Sequence, residues 1–253
     1  MTASLEVNGR VARITLSRSE TGNMIDFGLA YTLSDFAGEV RQRDDVWVVL
    51  VDADGPDFCL GTDPEALSIV AADDSRLTAL RAGQSIAEIE KPVICSIQGR
   101  AYDQGLEIAL ACDVRVADST AAFAMRQALS GSMPWDGGTQ RLPRVVGRSR
   151  AVELLLTGRT LDADEALAIG LVNESVGPGD AQRRASELAE TIASHGPTAL
   201  RYVKEAVLTG SDGPIAQGLR LEADLSFLLQ STHDRSEGIS SFMERRAPDY
   251  RGS

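Results

Sequence analysis

Residues 91–113 read KPVICSIQGRAYDQGLEIALACD, and they join a predicted strand to a predicted helix. The strand is indicated by the β-branched apolar run at 93–97, which is too short for a comfortable helix. Gly99 ends the strand, and a polar linker leads into an apolar helix at 105–112. A helix that begins at a glycine-containing turn presents backbone N–H groups and the positive end of its dipole. The stretch is therefore suited to bind an anion, or an oxygen atom on which negative charge develops.

One acidic residue, Glu107, falls in the first turn of this otherwise apolar helix. A glutamate at such a position either complements the helix dipole or takes part in the chemistry of a site. The spacing alone leaves both interpretations open.

Length and composition limit the class of protein. A chain of 253 residues with 43% hydrophobic residues suits one domain with a sizeable core and a helical extension. We expect no signal peptide and no membrane span. The three cysteines show no metal-ligand spacing, and an odd number of buried thiols favours a reducing cytoplasm. The net charge of −12 argues against nucleic acid and anionic membranes as partners.

The chain upstream of the quoted stretch predicts a hairpin, a helix and a strand. Residues 5–7 and 11–16 alternate around Asn8-Gly9, which favours a type I′ turn. Residues 27–40 have apolar side chains at helical spacing, and the apolar run at 46–51 is typical of a strand covered on both faces.

The remaining segments are mainly helical. We expect a mobile stretch at 64–72, one helix at 73–89 and a final helix capped by Asp234. Asp162 has capping-box spacing to Glu165. Downstream of the quoted stretch, the pattern predicts strands at 114–116 and 121–125, and helices at 150–157, 162–170, 181–194, 198–208, 214–230 and 237–245.

Several motifs, taken in order, resemble the crotonase (enoyl-CoA hydratase/isomerase) superfamily. The quoted stretch resembles the second oxyanion segment of that family: a strand, a glycine-rich turn, a glutamate and a helix that ends in Cys-Asp. Residues 58–63 (FCLGTD) resemble its first oxyanion motif. Further matches lie at 137–143, 155–159, 168–172 and 237–245.

The resemblance implies an α/β fold, a crotonase-type spiral of ββα units with a C-terminal helical region. Residues 1–195 would form the spiral core, and residues 196–253 a helical trimerisation region. Family members assemble as trimers or dimers of trimers, so a homotrimer or hexamer is expected. The substrate would be an acyl-CoA, with coenzyme A as part of the substrate and with no separate cofactor or metal.

The resemblance also assigns two backbone donors that would grip the thioester oxygen, the amides of Thr62 and Gln104. The chain departs from the family here, because Asp103-Gln104 replaces two positions of a glycine run. These two residues are either tolerated in the turn or reach the substrate with a side chain. The expected substrate contacts are Cys59, Leu60, Gly61, Asp63, Asp103 and Trp135, although Asp63 could instead cap the next turn.

Hydratases of this family use two glutamates to activate one water molecule. Glu107 matches the first, but the second position is Gln127. An amide can hold a water molecule but cannot transfer a proton at neutral pH. Asp136 is the best substitute acid, and its alternative role is a helix cap before the Gly-Gly segment.

The predicted function is hydration of a 2-enoyl-CoA. The alternatives are isomerisation or hydrolytic C–C cleavage of a CoA ester, or a CoA-binding subunit without activity. Coenzyme A is a polyanion and this protein is acidic, so local cations are required. The family positions nearest the phosphates are occupied by Arg18, Arg245 and Arg246.

Overall fold

The computed structural model describes residues 2–253. Its strands are Ala3–Asn8 (β1), Val11–Leu16 (β2), Val48–Ala53 (β3), Val93–Ile97 (β4), Arg100–Tyr102 (β5), Val114–Asp118 (β6), Ala122–Ala124 (β7), Leu161–Asp162 (β8) and Glu174–Val176 (β9). Its α-helices are Phe27–Gln42 (α1), Pro64–Ala72 (α2), Ala82–Ala87 (α3), Gln104–Ala111 (α4), Gly138–Val146 (α5), Arg148–Thr157 (α6), Ala163–Ala168 (α7), Ala181–Ala193 (α8), Pro197–Gly210 (α9), Ile215–Leu229 (α10) and His233–Glu244 (α11).

Two sheets organise the chain. The larger has the order β1-β2-β3-β4-β6-β9, and all its pairs are parallel except β1 with β2. The smaller has the order β5-β7-β8. The quoted stretch contains β4 of the larger sheet and β5 of the smaller sheet, so it passes from one sheet to the other before α4 begins. The predicted α/β class, followed by a helical C-terminal region, is confirmed.

The large sheet is covered on both faces, as the apolar strand at 46–51 predicted. Side chains alternate along β3, so Val49 and Val51 pack into the main core together with residues of α1, α3 and α4. Val48 and Leu50 pack on the opposite face against α8. This double cover explains why five of the six residues of β3 are buried.

Four local features differ from the expectation. The stretch 64–72, expected to be mobile, forms α2, because the Asp63 side chain accepts a hydrogen bond from the Glu65 amide and Pro64 occupies the first helical position. The final helix is capped by Thr232, while Asp234 accepts hydrogen bonds from the C-terminal backbone. The hairpin turn has positive φ at Gly9 but not at Arg10, which excludes type I′.

The single helix expected at 73–89 is divided. A 3₁₀ segment, Asp74–Leu80, is followed by α3, and Arg81 between them leaves helical geometry with ψ of 69°. The other predicted helices are present, with ends within a few residues of expectation. The helix α5 was not predicted. The predicted boundary at residue 195 falls between α8 and α9 and stays a prediction.

None of the helices formed by residues 2–253 combines the length and apolar character needed to cross a membrane.

Candidate active site

The two predicted oxyanion segments lie against each other. Cys59 pairs with Ala101 of β5, and the Tyr102 amide donates to the Cys59 carbonyl at 2.9 Å. A side chain at Gly105 would place its Cβ 2.3 Å from that same carbonyl, so only glycine allows α4 to approach so closely. Gly61 has a φ of 112° and faces the Cβ of Asp103.

This contact brings two backbone donors to one place. Among residues 2–253, neither the Thr62 nor the Gln104 amide has a hydrogen-bond acceptor, although the Asp63 and Asp103 amides beside them donate to carbonyls. The Thr62 hydroxyl donates to the Gln104 side-chain oxygen at 2.7 Å. Gln104 is also the first residue of α4, where the helix dipole adds positive potential. The pair is therefore suited to bind one oxygen atom that carries developing negative charge.

The Gln104 side chain points into the protein rather than into the cleft. It is 1% exposed, and its amide group donates to the Leu80 carbonyl and to Asp136 Oδ2, the latter at 3.0 Å. Together with the bond from Thr62, these contacts satisfy both ends of the side chain. Gln104 therefore joins the first oxyanion segment to Asp136.

Asp103 occupies an unusual backbone conformation, with φ of 51° and ψ of −118°. L-residues other than glycine rarely adopt this region, and holding one there costs about 1–3 kcal/mol. Its carboxylate accepts hydrogen bonds from Arg126: one from the backbone amide, one from Nε at 3.2 Å and one from Nη2 at 2.7 Å. Sequence reasoning missed Arg126. The sequence did carry one signal, which is that Asp103 stands in a turn where glycine is the suitable residue. A charged side chain at such a position needs a partner that holds it in place.

Glu107 is fully buried in α4, and only one of its two carboxylate oxygens has hydrogen-bond partners. Its Oε1 accepts hydrogen bonds from the Asp136 amide at 2.9 Å and from the Gly138 amide at 2.8 Å. Its Oε2 has no hydrogen-bond partner among residues 2–253. Burial raises the pKa of Glu107 from 4.5 to about 7; the Gly138 hydrogen bond opposes this effect and the charge of Asp136 adds to it. A carboxyl with this pKa can both accept and donate a proton near neutrality.

Gln127 begins a 3₁₀ turn, Gln127–Ser130, and lines the cleft described below. Its Oε1 is buried and also lacks a hydrogen-bond partner. Only three buried side-chain atoms in residues 2–253 share this property, and the third belongs to Asp52 in the large sheet. Two of the three thus belong to the residues that the sequence placed at the acid–base positions.

Asp136 is buried, and both of its oxygens are occupied. Oδ2 accepts from the Gly83 amide at 2.7 Å and from Gln104, and Oδ1 accepts from the Gln84 amide at 3.0 Å. Asp136 does act as a helix cap, but for α3 rather than for the helix that follows the Gly-Gly segment. Burial raises the pKa of Asp136, and the hydrogen bonds from Gln104 and the two amides oppose it. A catalytic role for Asp136 stays a prediction, and the geometry gives its oxygens structural partners.

A cleft of about 500 Å³ opens beside Thr62 and Gln127, whereas Gln104, Glu107 and Asp136 are not part of its wall. Thr62, Asp103, Arg126 and Gln127 supply polar atoms to its wall. The apolar part of the wall is formed by Met24, Leu60, Leu67, Leu129 and Trp135. Of the predicted substrate contacts, Leu60, Asp103 and Trp135 line the cleft.

Two other predicted contacts have structural partners. Cys59 is fully buried, and burial raises the pKa of its thiol to about 12. Asp63 caps α2 and lies 3.6 Å from Arg18. Neither residue is part of the cleft wall.

The three predicted phosphate contacts differ in their surroundings. Arg18 is tied to Asp26 at 2.9 Å and to the Met24 carbonyl at 2.7 Å, so it braces the loop near the cleft. Arg246 pairs with Glu237 and Glu244. Arg245 ends α11 in the left-handed conformation with φ of 55°.

Comparison with known proteins gives one consistent result. The family model described as enoyl-CoA hydratase/isomerase matches residues 6–253. The chain is 39% identical to the (E)-benzylidenesuccinyl-CoA hydratase of Thauera aromatica, with 100% of both chains covered. It is 33% identical to the short-chain-enoyl-CoA hydratase of Clostridium acetobutylicum, covering 96% of this chain and 94% of that protein. The crystal structure of enoyl-CoA hydratase from Bacillus anthracis superposes with a TM-score of 0.96, at 33% identity and 100% coverage of both chains.

Proposed function

Because this chain belongs to the enoyl-CoA hydratase/isomerase family, we propose that it adds water across the double bond of a 2-enoyl-CoA with one working carboxylate. It is an acyl-CoA-processing enzyme rather than a CoA-binding subunit without activity. The observation that carries the one-carboxylate proposal is the pair of unsatisfied buried oxygens, Glu107 Oε2 and Gln127 Oε1.

The thioester oxygen is held by the amides of Thr62 and Gln104. When the nucleophile adds to C3 of the substrate, negative charge moves through C2 to this oxygen. Two fixed donors stabilise that charge without having to reorganise, and such donors often contribute the largest part of catalysis. Coenzyme A enters as part of the substrate, and the residues described here supply the chemistry without a separate cofactor.

The attacking water donates one O–H to each unsatisfied oxygen. Glu107 Oε2 takes one proton as the water oxygen bonds to C3, while Gln127 Oε1 holds the second O–H and fixes the orientation of the water. Glu107 then returns the proton to C2 of the enolate. The sum of these steps is the addition of one water molecule, and Glu107 ends in its starting state. A pKa of about 7 suits this double role.

The apolar wall of the cleft favours an apolar acyl group. The relatives named above act on benzylidenesuccinyl-CoA and on short-chain enoyl-CoA, which differ widely in bulk. Both kinds of substrate are therefore candidates, and the bulkier aromatic acyl group fits the contribution of Leu129 and Trp135 to the cleft.

The replacement of the second carboxylate by Gln127 also favours a second candidate reaction. A single carboxyl group that removes the proton at C2 of a 3-enoyl-CoA, and returns it at C4 of the resulting dienolate, would move the double bond from the 3 to the 2 position. This isomerisation uses the same oxyanion donors and needs no attacking water. An assay with both 2-enoyl-CoA and 3-enoyl-CoA substrates therefore distinguishes hydration from isomerisation.

A substrate panel tests the proposal. We expect loss of the enoyl thioester absorbance with crotonyl-CoA or with (E)-benzylidenesuccinyl-CoA, and formation of a 3-hydroxyacyl-CoA. Hydration should rise with pH around an apparent pKa near 7 in kcat/KM and stay level above it, because one carboxylate must be ionised. Activity with 3-enoyl-CoA alone would favour isomerisation, and a bell-shaped profile with two carboxyl pKa values would contradict the one-carboxylate mechanism.

We also propose that α9 to α11 mediate assembly into a trimer or dimer of trimers. These helices expose large apolar side chains, with Ile215 81%, Phe227 77% and Phe242 84% exposed. Exposed apolar residues at this density are typical of an interface. Light scattering of the purified protein should give a mass of three or six chains, and a monomer would contradict the proposal.

The coenzyme A phosphates are proposed to lie near Arg245 and Arg246. The pairing of Arg246 with Glu237 and Glu244 limits its contribution, so Arg245 is the stronger candidate. Arg245→Glu should weaken acyl-CoA binding in calorimetry and reduce its salt dependence. Unchanged affinity and salt response would remove Arg245 from the site.

A further inference from the structure

We propose that Arg126 is a positioning residue, which fixes the Gln104 amide in the oxyanion site by clamping the strained residue Asp103. This inference rests on the proposed function of the Gln104 amide. It assigns to this chain a way of building the second oxyanion turn without glycine at position 103.

The backbone of Asp103 is the first observation. Its φ of 51° and ψ of −118° match the first central position of a type II′ turn, which glycine normally occupies. The peptide bond after Asp103 carries the Gln104 N–H, so the two dihedral angles of Asp103 set the direction of that donor. If Asp103 relaxed toward an ordinary conformation, the N–H would rotate away from the thioester oxygen.

The contacts of Asp103 are the second observation. Three donors of Arg126 converge on the Asp103 carboxylate, and the Asp103 amide donates to the Ala124 carbonyl at 2.8 Å. The Arg126 guanidinium itself lies 4.2 Å from the centre of the Tyr102 ring. Residues 102–103 are thus fixed to residues 124–126 through backbone and side chain. A sparsely populated conformation persists only where the surroundings determine it in this way.

Arg126 has another possible use, because it lines the cleft and its Nη1 has no acceptor among residues 2–253. A direct contact with substrate would also make Arg126 important for activity. The two roles differ in their dependence on residue 103. A clamp is needed only while residue 103 is strained, whereas a substrate contact is needed in every background.

A double-mutant cycle at positions 103 and 126 makes this distinction. We expect Arg126→Met to lower kcat by about tenfold to a hundredfold, the range for a displaced catalytic donor, while KM changes by less than about threefold. Asp103→Gly supplies the second background, because glycine adopts the required angles without a clamp, and kcat of this single variant is the reference for that background. In the Asp103→Gly background, Arg126→Met should lower kcat by less than about threefold. Arg144→Met, which removes an exposed ion pair with Asp212, is the matched control.

A second readout does not depend on turnover. A bound 3-ketoacyl-CoA such as acetoacetyl-CoA forms an enolate with near-ultraviolet absorbance, and an intact oxyanion site increases the enolate fraction. Arg126→Met should reduce this absorbance in the native background, whereas in the Asp103→Gly background it should leave the absorbance close to that of the Asp103→Gly single variant. A loss caused by Arg126→Met that is equally large in the Asp103→Gly background would overturn the inference and assign Arg126 to substrate contact. Native protein that shows the enolate absorbance but no hydration would instead contradict the proposed reaction and leave the clamp intact.

Discussion

Two buried carboxyl groups, Glu107 on α4 and Asp136 in the loop before α5, lie side by side, and the amide of Asp136 donates to Glu107. Burial raises the pKa of both. They differ in how their oxygens are used. Both oxygens of Asp136 accept hydrogen bonds from protein groups, whereas Glu107 has one oxygen with two donors and one with none.

The difference supports the proposal that Glu107 is the working carboxylate and that Asp136 has a structural role. Asp136 connects the first turn of α3 to Gln104, and each of its oxygens already accepts at least one hydrogen bond from a protein group. Glu107 is held in a fixed orientation by two backbone amides that both donate to Oε1, and Oε2 has no hydrogen-bond partner among residues 2–253. Burial alone does not identify a catalytic acid, because both groups are buried. The number of hydrogen bonds to each oxygen makes the distinction.

The largest expected effect is on turnover when Glu107 loses its charge. Glu107→Gln should lower kcat by at least about a hundredfold, the usual contribution of general acid–base catalysis. Binding of acyl-CoA should persist, because the thioester is held by backbone amides. Steady-state kinetics and calorimetry on the same preparation check both parts. Full activity in this variant would contradict the one-carboxylate mechanism.

The same substitution should stabilise the protein at high pH. The raised pKa of Glu107 means that the folded state binds more protons than the unfolded state between about pH 4.5 and 7, so the stability of the native protein falls as pH rises through this window. The shift from 4.5 to about 7 corresponds to about 3 kcal/mol at 1.36 kcal/mol per pKa unit. Glu107→Gln should therefore be more stable than the native protein by up to that amount at about pH 8, with a smaller advantage at about pH 5. Urea unfolding at the two pH values measures the difference, and an advantage that does not change with pH would contradict it.

Asp136→Asn should act mainly on stability. The new amide group replaces an acceptor that faces buried donors from Gly83, Gln84 and Gln104. Leaving one of them unsatisfied costs about 1–3 kcal/mol, or several degrees in Tm. Differential scanning calorimetry against the exposed control Asp35→Asn measures this effect. A loss of turnover as large as that of Glu107→Gln, with unchanged Tm, would instead make Asp136 the missing acid.

The smallest effect is expected at Gln127, which is proposed to orient the water and whose amide transfers no proton at neutral pH. Gln127→Ala should lower kcat by about tenfold, less than the loss of Glu107. Gln127→Glu should raise the apparent pKa of activity above 7, because a second nearby carboxylate disfavours ionisation of Glu107. The pH profiles of kcat/KM for both variants provide the measurement. A profile that Gln127→Glu leaves unchanged would place residue 127 away from Glu107.

Much of the site could be predicted because its parts are local in sequence. The strand, the turn and the helix of residues 91–113 follow from apolar periodicity and glycine positions, and they put Glu107 in the first turns of α4. The first oxyanion segment is equally local. Asp162 also caps α7 as its spacing to Glu165 predicted, with a hydrogen bond of 2.8 Å.

Other roles could not be predicted because the partners are distant in sequence. Asp136 was interpreted either as an acid or as a cap for the next helix, but it caps α3, and Gly83 lies 53 positions away. The partner of Asp103 is 23 positions away, on a segment after β7. No periodicity or spacing rule connects such positions.

The sequence by itself determined the α/β class and the position of Glu107 in the first turn of α4, since each depends on short-range backbone preferences and on which side chains must leave water. The two oxyanion segments stay a prediction from the family resemblance. Only the tertiary structure decided what each buried polar group does. The fold decides which donors come within hydrogen-bond distance of each carboxylate. Those donors determine whether both oxygens of the carboxylate have partners and whether a strained turn is stabilised. A buried polar atom is costly unless it is satisfied, and two of the three side-chain atoms that the fold leaves unsatisfied in residues 2–253, Glu107 Oε2 and Gln127 Oε1, lie at the positions where the chemistry is expected.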